Sequence, residues 1–307
     1  MQIIQDIPSV VPEPCVATIG FFDGVHRGHR FLIDQVRKAA AMRGMRSALI
    51  TFPVHPRKVM NRDFQPELLT TRDEKLALLA GTGVDYCMML DFTPDISQLT
   101  AQEFMTRILK ERYNVHALMI GYDHRFGHNR SEGFEDYCRY GEAIGMKVIR
   151  AEACVADGIR VSSSVVRNFL HQSNIEEANR CLGYEYFLDG TVVGGYQVGR
   201  KIGFPTANLR VDNPDKLVPM DGVYAVHVTF DGNTHNGMLS IGNRPTIGNG
   251  PERSIEVNIF NFHSDIYDKF IRLSFVHYLR PQLKFDKVEE LIEQIRQDKA
   301  DIEKILK

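Results

Sequence analysis

The chain has 307 residues, 43% of them hydrophobic and 25% charged, the proportions of an ordinary globular protein; they exclude a collagen-like rod, a coiled coil and wholesale disorder. Its 37 Lys and Arg stand against 39 Asp and Glu, a formal net charge of −2. Broad phosphate-backbone binding needs a dense basic face, so nucleic acid is not an expected partner and any phosphate recognition should be local. At about 100–200 residues per domain, the length predicts two domains.

The opening MQIIQDIPSV carries Asp6, Pro8 and no basic start, unlike a signal peptide. No apolar run approaches the ~18–20 residues of a membrane span. Cys15, Cys87, Cys138, Cys154 and Cys181 are scattered and form no C-x-x-C pair, which reads as reduced, mostly buried thiols and not as a zinc or disulfide frame. The expectation is a cytoplasmic protein without a membrane partner, a monomer or a weak homo-oligomer.

Residues 1–150 alternate strand and helix. CVATIG (15–20) is a compact strand, and His29 to Met42 follows with Phe31, Leu32, Val36 and Ala39 on one helical face. SALITF (47–52) is a strand, and Thr71-Arg-Asp-Glu74 is a capping box opening a helix through Leu79. DYCMML (85–90) is a strand, and Thr100-Ala-Gln-Glu103 caps a helix that turns Phe104, Ile108 and Leu109 inward. ALMIG (117–121), a helix over 132–145 and MKVIR (146–150) complete the run. Such alternation predicts an α/β domain whose parallel sheet is covered on both faces, with ligands beyond the carboxyl ends of its strands.

From about residue 185 the rhythm changes. YFLDGTVV, VYAVHVTF, MLSIG, SIEVNIFNF and FIRLSFVHYL alternate or run apolar, with turns read at Asp221-Gly222, Asp231-Gly232 and Gly242-Asn243. This is antiparallel β, most simply a small barrel. Asp286 and Glu289 start a terminal helix with Val288, Leu291, Ile292, Ile295, Ile302 and Ile305 as its buried stripe. The domain boundary falls in 171–186, taken as 184/185.

Two constellations carry chemistry. Thr18-Ile-Gly20-Phe21-Phe-Asp23-Gly24-Val-His26-Arg-Gly28-His29 sits where the first strand meets the first helix. Its glycines admit close backbone approach, the helix start offers free N–H groups to phosphate, and the two histidines can donate to oxygens that gain charge during phosphoryl or nucleotidyl transfer. The bland alternative is a turn with two surface histidines. Further on, Ser162, Ser163 and Ser164 with Arg167 one turn later suit an anion, although serines also simply cap helices. In the C-terminal half, Gly199-Arg-Lys-Ile-Gly203-Phe-Pro205-Thr206-Ala-Asn208 is glycine-rich and ends in oxygens suited to Mg²⁺; alone, it is also an ordinary β-turn. Glu256 lies opposite Ile255, Val257 and Ile259 in a strand, either a solvated carboxylate or a general base for a substrate hydroxyl.

H-x-G-H followed by S-S-x-x-x-R resembles the nucleotidyltransferase superfamily. The longer string G-F-F-D-G-V-H-R-G-H, with Thr51-Phe-Pro-Val-His55-Pro56 and Gly121-Tyr-Asp123-His-Arg-Phe126-Gly127, resembles the adenylyltransferase half of bacterial bifunctional riboflavin kinase/FAD synthetases. G-R-x-x-G-F-P-T-A-N, Asp221-Gly-Val-Tyr224, Gly242-Asn243-Arg-Pro-Thr246 and the E-V-x-I-F-x-F strand resemble the riboflavin kinase module of the same family, in that order. The resemblance spans roughly residues 13–300. It implies a Rossmann-like domain followed by a six-stranded barrel, ATP as substrate with Mg²⁺, phosphorylation of riboflavin to FMN and adenylylation of FMN to FAD with release of pyrophosphate.

By the same resemblance His26 and His29 stabilise the phosphates in the transition state. Ser162, Ser163 and Arg167 hold the triphosphate, and Gly20, Phe21, Asp23, Gly24 and Gly28 shape the turn around it. Asp123 and the His55-Pro56 turn line the nucleotide and flavin pockets. In the kinase half Gly199, Gly203, Pro205 and Asn243 surround the nucleotide, Thr206 and Asn208 hold Mg²⁺–ATP, Glu256 is the base and Arg280 lies near the flavin. With no tryptophan in the chain, flavin stacking falls to Phe or Tyr, with Phe262 and Tyr267 as candidates. The sequence departs from the family at His124, where Phe is usual, and at Gln282, where Glu is common. A kinase with an inactive nucleotidyltransferase half and a non-catalytic flavin-binding regulator are the alternatives.

Overall fold

The computed structural model describes residues 1–6, 11–61, 63–121, 125–128, 131–152, 155–156, 159–195, 198–243 and 253–307. They fold as two compact units, Met1–Ser163 and Ser164–Lys307.

The first unit is built on a six-stranded sheet of β1 (Gln2–Ile4), β2 (Cys15–Ile19), β3 (Arg46–Thr51), β4 (Tyr86–Met89), β5 (Val115–Ile120) and β6 (Lys147–Arg150). The strand order is β1-β4-β3-β2-β5-β6 and every pair is parallel. The helices are α1 (Arg27–Ala41), α2 (Pro56–Met60), α3 (Arg72–Ala80), α4 (Pro94–Ser97), α5 (Ala101–Glu103), which runs on as a π-helix over Phe104–Arg112, and α6 (Phe134–Ala143). A hairpin of β7 (Val155–Ala156) and β8 (Ile159–Arg160) follows. Both capping boxes form, Thr71 with Glu74 and Thr100 with Glu103, and Phe104, Ile108 and Leu109 are buried as expected. The edge strand β1 was not foreseen; three residues carry too little pattern, and only its pairing with β4 makes it a strand.

All five residues of β2 are buried, which is why this strand reads as a continuous apolar run. Cys15, Ala17 and Ile19 enter one core with Phe104 and Met105, while Val16 enters another with Val36, Ala39 and Ala40 of α1. The chain lays β2, β3 and β4 toward one edge, then returns to the other side of β2 for β5 and β6. The carboxyl ends of β2 and β5 therefore flank the topological switch point, where open α/β sheets bind ligands. Gly20 leaves β2 at that point.

In the second unit α7 (Ser163–His171) opens at the division and α8 (Ile175–Leu182) follows. Next come β9 (Phe187–Val193), α9 (Val198–Lys201), β10 (Ala207–Arg210), β11 (Gly222–Phe230), β12 (Asn233–Asn243), β13 (Arg253–Ile259), β14 (Phe270–Arg280) and α10 (Val288–Ile305). The six strands close into a barrel, β10-β13-β12-β11-β14-β9, every pair antiparallel and β9 joined to β10. Closure removes exposed strand edges.

Three local expectations change. Thr206-Ala207-Asn208 does not end in a turn: Ala207 and Asn208 open β10, in register with Val257 and Glu256. Of the three turns, only Asp231-Gly232 is a two-residue hairpin, both residues left-handed at φ 49° and 77°, as a type I′ turn requires. Gly222 and Gly242-Asn243 lie inside strands, and a Cβ on Gly222 would come within 2.4 Å of the Tyr278 ring. On α10 Ile302 is buried, but Val288 and Ile305 are exposed and the helix instead buries Asp298. The Arg280 guanidinium grips that carboxylate through Nε and Nη2 and also donates to the Pro281 carbonyl.

The division between units falls before α7 and α8, ahead of the 184/185 boundary expected from the change of rhythm. The amphipathic α8 buries Ile175, Ala178, Cys181 and Leu182. Asn179 donates through Nδ2 to the Phe275 carbonyl on β14 (2.8 Å) and accepts from the Tyr186 N–H (2.7 Å). A fragment of residues 164–307 is expected to fold, whereas residues 185–307 are not. Losing the burial of Ile175 and Leu182 costs roughly 1.5–3 kcal/mol each, and each hydrogen bond about 1 kcal/mol more, a large share of a small barrel's stability. Thermal melts of the two fragments measure the difference.

Candidate active sites

In the first unit the residues after β2 form a strained turn. Phe22, Gly24 and Val25 all have positive φ (56°, 77° and 37°). A β-branched residue there is a genuine outlier, and strain of this kind persists where the surroundings over-determine it. They do so through Asp23, which is buried. Its Oδ2 accepts from the Leu69 N–H (3.0 Å) and its Oδ1 from the Thr70 N–H (3.0 Å) and hydroxyl (3.2 Å), while Thr70 Oγ1 accepts from the Gly24 N–H (3.0 Å). Asp23, expected beside the nucleotide, thus clips the turn to the segment before α3.

His26 is the N-cap of α1 and is buried; its Nδ1 accepts from the His29 N–H (3.3 Å). With Nδ1 an acceptor, the neutral ring carries its proton on Nε2. The His26 and His29 rings stack, centroids 3.6 Å apart and 17° from parallel, and Phe22 meets His29 edge-on at 5.2 Å. Burial, and after it electrostatic interaction with neighbouring His26 and Lys75, holds His29 well below the usual histidine range, so it is a neutral imidazole at pH 7. A Cβ on Gly28 would sit 3.1 Å from His26 Nδ1 and 3.3 Å from the Val161 carbonyl, a tight fit that glycine relieves where the chain before Ser162 passes the histidines. Ser163 Oγ donates to the Asp23 carbonyl (2.9 Å). Ser163 therefore borders the turn, with Ser162 beside it in the chain. Arg167 lies one turn along α7 and is half-buried.

Lys75 escaped sequence reading because it lies in an ordinary helical stretch. It is 2% exposed, and its ammonium donates to the carbonyls of Phe21 (3.1 Å) and Phe52 (2.9 Å) and to Thr51 Oγ1 (3.2 Å). The Phe21 ring lies 4.1 Å from Nζ. Burial pulls its pKa down to about 8, with nearby Asp23 opposing. Lys75 ties the loops after β2 and β3 together, and those loops bring His55 edge-on to Phe21 at 4.7 Å. His55 caps α2 by accepting from the Arg57 N–H. Beyond these strand ends lies a cavity of about 120 Å³ lined by Phe52, Pro56, Phe92, Phe104 and Phe126. Asp123 and His124 lie outside the described residues.

In the barrel unit Thr206 Oγ1 donates to Glu256 Oε2 (3.2 Å). Glu256 alternates with buried Ile255 and Val257, as its strand pattern predicts, and is itself half-buried, paired in register with Asn208. Asn208 is buried, and a Cβ at Gly195 would meet its Nδ2 at 2.3 Å. The loop before β10 is tight: Phe204 N–H donates to the Gly199 carbonyl (2.8 Å), Gly203 has φ +88°, and the Pro205 carbonyl accepts from Asn258 Nδ2 (2.7 Å). Two cavities flank this rim. One of about 440 Å³ is lined by Arg200, Thr206, Val257, Phe262 and Tyr267, the other, of about 370 Å³, by Asn208, Arg210, Lys216, Arg253 and Ile255. Asn243 ends β12 opposite Arg253; its side chain is outside the described residues. Arg280 is engaged by Asp298. Gln282, at the second departure from the family pattern, donates to Ser240 Oγ (2.8 Å) and the Ile241 carbonyl (3.0 Å); a Glu there could not donate to either.

A glycine–histidine turn at the switch point of a parallel sheet, and separately a hydroxyl–carboxylate pair on a barrel rim, define a two-module phosphate-transferring enzyme. The family model for FAD synthetase matches residues 9–165 and that for riboflavin kinase residues 182–306. Bifunctional riboflavin kinase/FMN adenylyltransferases of Listeria monocytogenes (38% identical, covering 93% of this chain and 90% of the relative), Pseudomonas fluorescens (35%; 98% and 96%) and Escherichia coli K12 (34%; 96% and 94%) align with it. A crystal structure described as a macrolide-efflux protein of Streptococcus pneumoniae superposes with a TM-score of 0.88 at 31% identity, over 97% of either chain. Among the described residues no helix is long and apolar enough to cross a membrane. The chain belongs to the bifunctional riboflavin kinase/FMN adenylyltransferase family. It phosphorylates riboflavin to FMN and adenylylates FMN to FAD, with ATP the phosphate donor in one step and the adenylyl donor in the other.

Proposed function

We propose that each unit houses one of the two reactions, the kinase at the β10–β13 rim and adenylyl transfer at the Gly20–His29 turn. The observation that carries the kinase assignment is the Thr206–Glu256 contact: Thr206 lines the cavity of about 440 Å³ and its hydroxyl donates to the Glu256 carboxylate (3.2 Å). ATP occupies the cavity with Arg200, Thr206 and Tyr267, where Phe262 and Tyr267 serve adenine and not the flavin; riboflavin occupies the one with Asn208. Glu256 takes the proton of the riboflavin 5′-hydroxyl as that oxygen attacks the γ-phosphorus and ADP leaves.

The hydroxyl of Thr206 and the amide oxygen of Asn208 fit Mg²⁺, which favours a few hard oxygen ligands beside ATP phosphates. Asn208 lies so close to residue 195 that only a glycine there leaves room for its amide. Bound Mg²⁺ neutralises charge on the transferring phosphate. The glycines at 199 and 203 let the loop fold over the phosphates.

At the other site two neutral imidazoles donate to the α-phosphate oxygens as the FMN phosphate attacks and pyrophosphate departs. Ser162 and Ser163 bind the triphosphate, and Arg167 is assigned to it on its spacing along α7. The flavin of FMN enters the aromatic cavity at Phe52 and Phe126, and Asp123 lines the nucleotide side. The near-zero net charge supports small-molecule partners without nucleic acid; a cytoplasmic location and a monomeric or weakly associating state belong to the same proposal. Asn208→Ala is expected to raise the Mg²⁺ concentration for half-maximal FMN formation by about tenfold, the order of losing one ordered ligand, while FAD formation from supplied FMN is unchanged. An unaltered Mg²⁺ requirement removes Asn208 from the site.

A further inference from the structure

Two buried side-chain polar atoms among the described residues have no hydrogen-bond partner, Thr18 Oγ1 and His29 Nδ1. Buried polar groups are nearly always partnered, so two orphans in one unit call for a common explanation. The fold sets them on facing surfaces. Along β2 the side chains alternate, and Val16 lies in the core formed with α1. Thr18, two residues on, looks the same way and is 1% exposed. On α1, His29 lies one turn before buried Ile33 and two before buried Val36, on the helix's inner stripe. Helix α1 packs on β2 and follows it through a short turn, so the end of the strand abuts the start of the helix. By strand alternation and helical periodicity, Thr18 on β2 and His29 on α1 occupy these two facing surfaces.

We propose that Thr18 is the positioning residue of His29: its hydroxyl donates to Nδ1, directly as the site closes on nucleotide or relayed by one water, and so keeps the ring proton on Nε2. The proposal rests on reading His29 as a phosphate-facing donor. A neutral imidazole bonds an anion only through N–H, and a proton on Nδ1 would leave Nε2 a lone pair that repels phosphate. His26 is fixed in the same sense by the backbone, since its Nδ1 accepts from the His29 N–H. The stacked rings, 3.6 Å apart, then each carry one Nε2–H donor. One tautomer is set by the main chain of α1 and the other by a side chain of β2. No charged group is needed at Thr18; valine would fill the same volume and leave the tautomer free.

The test compares Thr18→Val, Thr18→Ser and His29→Ala in the full-length protein. Thr18→Val is expected to lower kcat for FMN adenylylation by about tenfold with KM for ATP and FMN nearly unchanged, the pattern of an interaction made in the transition state. Thr18→Ser restores the rate, and riboflavin phosphorylation by the same preparations stays at the original rate. With ¹⁵N-labelled histidine, the resonances assigned by their loss in His29→Ala show the Nε2–H tautomer in the unaltered protein and a mixture in Thr18→Val. Adenylylation at full rate in Thr18→Val, a serine variant as slow as the valine one, or an Nδ1–H tautomer in the unaltered protein overturns the proposal. Should Thr18→Val misfold, the tautomer in the unaltered protein decides alone. Full FAD formation by His29→Ala overturns the reading of the turn itself, whatever Thr18 does.

Discussion

Glu256→Gln is expected to abolish FMN formation while leaving conversion of supplied FMN to FAD at its original rate. Gln keeps the size of the side chain and can still accept from the Thr206 hydroxyl, now 3.2 Å away, so the rim stays folded; what is lost is the capacity to take a proton. Removing general-base help lowers a rate by about 10²–10⁴-fold. Chromatography of flavin products from riboflavin and ATP reads the first step, and the same assay started from FMN reads the second. A parallel fall of both rates would mean that Glu256 acts on the fold or that one site serves both reactions. A half-rate kinase in Glu256→Gln would make the carboxylate an ordinary covered strand residue.

His29→Ala is expected to do the reverse. It removes a donor from the transition state for adenylyl transfer, a loss of about 10²–10³-fold when such a donor is preorganised, and riboflavin phosphorylation continues. The direction is set by protonation. Burial keeps His29 neutral through the ordinary histidine range, so acid does not simply strengthen it as a cation, and a variant that supplies a neutral N–H, His29→Gln, should recover part of the rate where Ala does not. If Ala and Gln variants are equally active, the stacked pair is structural and the phosphate is held elsewhere.

Much of the architecture was legible because it follows from periodicity. Strands such as Cys15–Ile19 and Arg46–Thr51 read correctly since a parallel sheet covered on both faces demands unbroken apolar runs, and both Thr-x-x-Glu boxes formed where they were read. The histidine turn and the Glu256 strand were legible as motifs of a known family because residue type, order and spacing are all local. Lys75 and Asp298 were not legible. Each lies in an unremarkable stretch and acquires its role from partners elsewhere in the chain: loop carbonyls after β2 and β3, and Arg280 on β14. Asp23 was read as a ligand residue, yet its carboxylate is committed to Leu69 and Thr70, some forty-six residues away.

By itself the sequence determined two modules, their order, their fold classes and the motifs of both reactions, because these depend on short-range pattern. Tertiary structure alone decided that α7 and α8 belong with the second unit and that Thr206 meets Glu256 while Asp23 holds a loop. The physical reason is that a side chain's chemistry is fixed by its type, whereas its hydrogen-bond partner and its burial are fixed by which distant segment folds against it.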